Sequence, residues 1–255
     1  MARLSFAASA LLAFFGAAHA ADMAPAPIYK SAPPPAPAPF NSWTGFYVGA
    51  GWGYGVSDTN SSVVLPTGAF QGTTSNGARG WLGMATVGYD YQFNVAGWNL
   101  VAGLLADYDF GNITGTWNFQ AANGVLSTLT GVEKEKSFWD AGARIGWLIT
   151  PDILSYFSGG YSQAHFDGMT LNPLGTPLST SSHNYGGWFT GAGIETKIQS
   201  VPGLYFNTEY RFTSYNNATL PVAGSALAAP GAFSLKLSPN QQTVMSGIHY
   251  KFNWQ

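Results

Sequence analysis

The stretch from Trp43 to Val56 alternates bulky apolar residues with residues that carry almost no side chain. Its even positions are Phe46, Val48, Ala50, Trp52, Tyr54 and Val56; its odd positions are Gly45, Tyr47, Gly49, Gly51, Gly53 and Gly55. Successive side chains of a β-strand point to opposite faces, so this segment is predicted to be a strand with one greasy face and one nearly bare face. The pattern recurs in about eight segments, with charged residues on the small-residue face. A soluble sandwich would do the reverse, turning aromatics inward and charges outward. The greasy face therefore needs a wide apolar neighbour, and lipid supplies one.

Lipid narrows the choice of fold sharply, because only helices and closed barrels satisfy every backbone polar group there. Residues 1–20 read as a secretory signal peptide: Arg3, an apolar run from Leu4 to Phe15, and Ala18-His19-Ala20 as the cleavage site. After it the best apolar run is Leu100 to Ala106, far too short for a membrane helix. A membrane reading thus means a barrel. Charged residues make up 9% of the chain, against about 25% in ordinary soluble domains. A net charge of −2 offers no basic footprint for nucleic acid. The absence of Cys excludes a lipoprotein and a disulfide-stapled module. Residues 21–42 form a Pro/Ala-rich linker, expected to be an extended periplasmic spacer, and residues 43–255 form the barrel.

Eight strands are predicted: Trp43–Val56, Arg79–Phe93, Trp98–Phe110, Lys136–Ile149, Ile153–Phe166, Tyr185–Ile198, Gly203–Thr213 and Thr243–Phe252. Their connections alternate. Ser57–Ala78, Gly111–Glu135, Asp167–Asn184 and Ser214–Gln242 are long, whereas Asn94–Gly97, Thr150–Asp152 and Gln199–Pro202 are tight. That rhythm predicts an all-β fold, an eight-stranded antiparallel up-and-down transmembrane β-barrel. An even strand count puts both termini on one side, expected to be periplasmic, with the long loops extracellular in a Gram-negative outer membrane.

Aromatics gather near the strand ends, with small aliphatics between, as a bilayer with two interfaces selects. The predicted girdle comprises Trp52, Trp81, Trp98, Tyr108, Trp139, Trp147, Trp188, Tyr210, Tyr250 and Phe252. Tyr156 and Phe166 are placed with the belts as well, although the fifth strand has apolar residues on both faces and its facing stays open.

The segments Trp43-Thr-Gly-Phe-Tyr-Val-Gly-Ala50, Gly88-Tyr-Asp-Tyr-Gln-Phe93, Gly103-Leu-Leu-Ala-Asp107, Ala143-Arg-Ile-Gly-Trp147, Gly191-Ala-Gly-Ile-Glu195 and His249-Tyr-Lys-Phe252 come in an order and spacing that covers Trp43 to Phe252. In these the chain resembles the small outer-membrane β-barrel proteins of alphaproteobacteria, the opacity-like porin superfamily that includes their major outer-membrane immunogens. The resemblance implies an outer-membrane location and an integrity or surface-antigen role, with weak pore activity in some members and no catalytic residues. Such barrels commonly end on an aromatic read by the assembly machinery; here Phe252 or Trp254 is expected to serve.

The candidate site is the charge set predicted to face the lumen. Asp107, Asp140, Arg144, Glu209 and Arg211 are expected in the half nearer the long loops; Asp90, Glu195, Lys197, His249 and Lys251 are expected nearer the tight turns. An eight-stranded lumen is just wide enough for side chains to fill, so paired charges make a polar plug. The many lumen glycines leave room for water and keep a gated pore as the alternative. Three mature histidines, His165, His183 and His249, lack metal-ligand spacing, and no metal or other cofactor is expected. A lipid-modifying enzyme could use Ser162 with His165, but no orienting carboxylate is specified. The reading is a structural, non-enzymatic barrel serving envelope integrity and surface presentation. Its expected partners are outer-membrane lipid, lipopolysaccharide and the barrel assembly machinery, and no nucleic acid. A narrow diffusion channel and a lipid-modifying enzyme are the alternatives.

Overall fold

A computed structural model describes residues 42–64, 70–119, 129–171, 178–222 and 234–252. The expected signal peptide, the linker apart from Ser42, and Trp254 lie outside the described residues. One antiparallel sheet contains β1 (Gly45–Val64), β2 (Phe70–Val95), β3 (Trp98–Phe119), β4 (Leu129–Thr150), β5 (Ile153–Phe166), β6 (Thr170–Leu171), β7 (Leu178–Ser179), β8 (His183–Lys197), β9 (Leu204–Tyr215), β10 (Ala218–Pro221) and β11 (Ser234–Phe252). β1 pairs with both β2 and β11, so the ring β1-β2-β3-β4-β5-β8-β9-β11 closes on itself. This is the eight-stranded up-and-down barrel expected, and closure removes the free edges that an open sheet would expose. β6 adds to β4, β7 to β6, and β10 to β11.

Tight turns join the strands at one end. At Val95-Ala96-Gly97-Trp98 both central residues are left-handed, with φ of 50° and 86°. That is the geometry of a two-residue turn whose twist matches the flanking strands. β4 and β5 are separated only by Pro151 and Asp152.

The long connections are shorter than predicted, because much of what reads as loop is strand. β1 continues from Val56 to Val64, β3 from Phe110 to Phe119, and β4 begins at Leu129 rather than Lys136. Outward side chains become polar there, as at Asp58, Asn60 and Lys134, yet Ser57, Thr59, Ser61 and Val63 still turn inward at period two. An apolar outward face marks where lipid begins and ends; it does not mark the end of the strand. The wall is consequently uneven. β1 to β4 and β11 run 20, 26, 22, 22 and 19 residues, whereas β5, β8 and β9 run 14, 15 and 12. A tilted strand needs only about 9–11 residues to cross a bilayer.

Every predicted girdle residue is on the outside, from Trp81 at 71% exposure to Trp147 at 37%. Inside, Asp90, Asp140, Glu195 and Lys251 are fully buried. β5 resolves in the direction the sequence left open: Leu154, Tyr156, Ser158, Ser162, Ala164 and Phe166 face inward, and Phe157 and Tyr161 face outward. Placing Tyr156 and Phe166 in the aromatic belts is therefore corrected. The phase of β5 is set by the Pro151–Asp152 turn and a bulge at Ile149, since Leu148 pairs with Leu154 but Thr150 with Ile153.

Trp43 is also corrected. β1 starts at Gly45, and Trp43 instead fills the barrel mouth at the tight-turn end, fully buried, with its ring against Tyr205 at 4.9 Å. It closes a small core with Val101, Leu154, Tyr156 and Tyr205. A larger apolar core, including Val63, Ile113, Trp117, Phe166, Leu171, Tyr185, Leu220 and Leu235, fills the other end inside the raised wall.

Candidate functional site: the charged lumen

Between these two cores lie the charges. Nearer the tight turns, β4 projects Arg144 over Gly103 of β3 to Asp90 of β2, and past β5 to Glu195 of β8. Its Nε donates to Asp90 Oδ1 at 2.9 Å, its Nη2 to Asp90 Oδ2, and its Nη1 to Glu195 Oε2 at 2.8 Å. Lys251 of β11 reaches the same two carboxylates at 2.7 and 3.0 Å. Two cations thus balance two anions. Aromatic faces cover the cations: Tyr47 and Tyr156 lie 4.8 and 5.0 Å from the Arg144 guanidinium, and Trp43 and Tyr205 each lie 4.6 Å from the Lys251 ammonium. A desolvated cation gains from such ring faces because their quadrupole is negative there.

Toward the long connections, Arg211 of β9 donates to Asp140, to Asp107 Oδ2 at 2.9 Å and to its neighbour Glu209 at 3.0 Å. Glu209 also accepts from Tyr156 Oη at 2.9 Å and Ser158 Oγ at 2.7 Å. Beyond this group Asp109, Glu133 and Glu135 are buried as well. Asp109 has no hydrogen-bond partner among the described residues, and Glu133 accepts one bond, from Thr59 Oγ1 at 3.2 Å. Three carboxylates here hold one guanidinium, and three more lie buried beyond it with no ion pair among the described residues.

Glu133 and Glu135 stand beyond the outer aromatic ring, level with the exposed Lys134 and Lys136 on the outside of the wall. Burial pushes the Glu133 carboxyl up to about 7, with the Thr59 hydrogen bond opposing. Burial, reinforced by Glu133 and Asp140, pushes Glu135 up to about 8.

Two placements differ from the sequence reading. Arg144, grouped with the half nearer the long loops, belongs to the other cluster through Asp90 and Glu195. Lys197 does not join the carboxylates of the lumen; it sits at the rim, donating to Pro151 O at 3.0 Å beside Asp152, with its ammonium 5.3 Å from Trp43. It lies near the end of β8, where the lumen opens. His249 stacks on Tyr47 at 5.0 Å, with Nδ1 3.7 Å from Glu195.

Glu133 and Glu135 were missed because this part of β4 reads as the end of the loop Gly111–Glu135, and a bulge breaks its phase with the strand below. Ser137 pairs with His165 but Glu135 pairs with Phe166, so one residue of β4 goes unmatched and the inward phase changes from even to odd positions. A signal did exist: Glu133-Lys134-Glu135-Lys136 alternates acid and base at period two, which on a strand separates the signs onto opposite faces.

The glycines do not hold a water channel open. A side chain at Gly88 would meet Tyr47, at Gly193 Tyr156, at Gly49 His249 and at Gly103 Asp90. Their missing side chains are the space into which the aromatic and charged groups fit. The hollow between Arg144 and Arg211 measures about 20 Å³, room for about one water. Ser162 is fully buried in the lumen, 3.4 Å from Tyr215 Oη, while His165 points outward. The two cannot act on one substrate.

The family model described as an outer membrane protein beta-barrel domain matches residues 7–252. A 25 kDa outer-membrane immunogenic protein of Brucella abortus is 27% identical over 252 residues, spanning 98% of this chain and 97% of that one. A 31 kDa outer-membrane immunogenic protein of Brucella melitensis is 27% identical, over 87% of this chain and 89% of that one. Among solved structures, the outer membrane protein OprG of Pseudomonas aeruginosa aligns with a TM-score of 0.52 at 14% identity, over 85% of this chain and 100% of that one, a likeness of fold.

Proposed function

Since the chain belongs to the outer membrane protein beta-barrel domain family, we propose that it works as a closed structural barrel of the outer membrane, contributing to envelope integrity and presenting its long connections at the cell surface. The filled lumen carries this reading: an apolar core at each end encloses two ion clusters, leaving about 20 Å³ between the arginines. A side-chain-filled cylinder of eight strands resists deformation but offers solutes no path. The orientation proposed has the tight turns and both termini in the periplasm and the raised wall outside. The outer-membrane immunogenic relatives support a surface role. Lipopolysaccharide and membrane lipid are the proposed neighbours of the exterior, and the assembly machinery the proposed reader of Phe252.

Two measurements test this. The purified protein in a planar bilayer should give no steady conductance at neutral pH; regular unitary steps would overturn the closed barrel in favour of a narrow channel. Deleting the protein should sensitise cells to detergent and chelator, and restoring it should reverse this; unchanged sensitivity would remove the integrity role.

A further inference from the structure

The outside of the wall has its own charge pattern. Among the described residues, the exterior band between the two aromatic rings carries no charged side chain. Just past the ring at the long-connection end, the cations begin. Arg79 on β2 pairs with Thr114 on β3, and Thr114 pairs with Lys134 on β4, so three outward side chains stand in one rank across neighbouring strands. Strands lie about 4.8 Å apart, which sets guanidinium and ammonium about 10 Å apart with a hydroxyl between them.

We propose that this rank, Arg79–Thr114–Lys134, binds the phosphate groups of an outer-leaflet glycolipid. The inference rests on the orientation proposed above, which puts this end in the outer leaflet. Three features fit. Neither cation has an ion-pair partner among the described residues, whereas nearby Lys136 is matched by Asp167 at 3.0 Å and Asp58 is held by Ser75 Oγ at 2.6 Å. The height suits a headgroup: Trp81 lies two residues below Arg79, and Phe110 and Trp139 lie below Thr114 and Lys134, all exposed. Interfacial aromatics mark the level where headgroups start. Finally, a groove of about 490 Å³ opens beside Lys134, lined by Thr116, Thr130, Thr170 and Asp167. Hydroxyls and a carboxylate suit a sugar, while the guanidinium fork and the ammonium suit phosphate oxygens. A plain phospholipid would use the cations and leave the groove empty.

The full chain, refolded in detergent and checked by its change in gel mobility on boiling, is titrated with diphosphoryl lipid A, with the same lipid dephosphorylated, and with phosphatidylglycerol, and bound lipid is counted by native mass spectrometry. Diphosphoryl lipid A should bind at least about tenfold more tightly than either of the others, the loss expected when charge-assisted bonds disappear. Arg79→Gln with Lys134→Gln should remove that preference. Lys236→Gln, an exposed cation on β11 away from the rank, should not. Equal binding by the double variant and the parent would overturn the site, as would phosphatidylglycerol binding as tightly as diphosphoryl lipid A. Arg79→Lys with Lys134→Arg, which keeps the charge, covers the case in which the neutral pair does not fold. Orientation is read separately by labelling Asn60→Cys on whole cells with a membrane-impermeant thiol reagent. Lack of labelling with lipid selectivity intact overturns the orientation alone, and labelling without selectivity overturns the site alone.

Discussion

Around Arg144, two carboxylates meet two cations under aromatic faces; around Arg211, three carboxylates meet one cation, and three more buried carboxyls run on into an apolar core. Both groups are buried in the same cylinder, so the difference lies in stoichiometry rather than solvent access. The balanced cluster cross-links β2, β4, β8 and β11 through full charges, and its attraction offsets desolvation only while every partner is present. At the acid-rich end Glu133 and Glu135 are buried without a cation beside them, so stability there is tied to proton uptake by those two carboxyls. One end of the lumen is a fixed tie, and the other is a pH-dependent load.

That contrast is broken most directly at Arg211. Arg211→Ala should cost about 3–5 kcal/mol at pH 7.5, read from the urea midpoint in micelles, because three carboxylates lose their only cation. Arg144→Ala should cost less, about 3 kcal/mol, because Lys251 still serves Asp90 and Glu195. If Arg144→Ala proved the costlier of the two, the two clusters would not differ in this way.

The acid-rich end sharpens with pH. Glu133 and Glu135 titrate near 7 and 8 in the folded chain, above the ordinary 4.5 of an unfolded glutamate. Between pH 4.5 and 8 the folded state therefore holds protons that the unfolded state has released. Stability is fully present below that window and falls as pH rises through it. Glu133→Gln with Glu135→Gln should flatten the decline, raising stability at pH 8 and leaving it unchanged at pH 4. An unfolding midpoint with the same slope in parent and variant between pH 5 and 8 would refute the assignment. The smallest effect belongs outside the lumen: Lys136→Ala breaks the exposed pair with Asp167 and should cost under about 1 kcal/mol, less still at high salt.

Strand number, closure and the outward aromatics were legible because period two is imposed on every residue of a wall with lipid on one side. Asp90, Asp107 and Glu195 could be placed inward on the same ground. What stayed hidden depended on register. Tyr156 and Phe166 read as belt residues because both faces of β5 are apolar, and only the turn at Pro151–Asp152 with its adjacent bulge fixes the phase. Which charges meet was equally hidden: Arg144 and Asp90 are 54 positions apart, and the register of two strand pairings, Asp90 with Gly103 and Gly103 with Arg144, brings them together. The raised wall was missed for a simpler reason, since its outward face is polar and looks like loop.

The unmatched residue between Glu135 and Ser137 has a consequence for how such a chain can change. It acts as a phase boundary. Removing Lys136 would take out the bulge and leave a plain two-residue alternation from Phe138 through Glu135 to Glu133, so both faces above it would keep their tenants. A single-codon deletion at this point could thereby shorten the wall without inverting it, whereas the same deletion at Lys134, where no spare residue absorbs it, would exchange the two faces beyond.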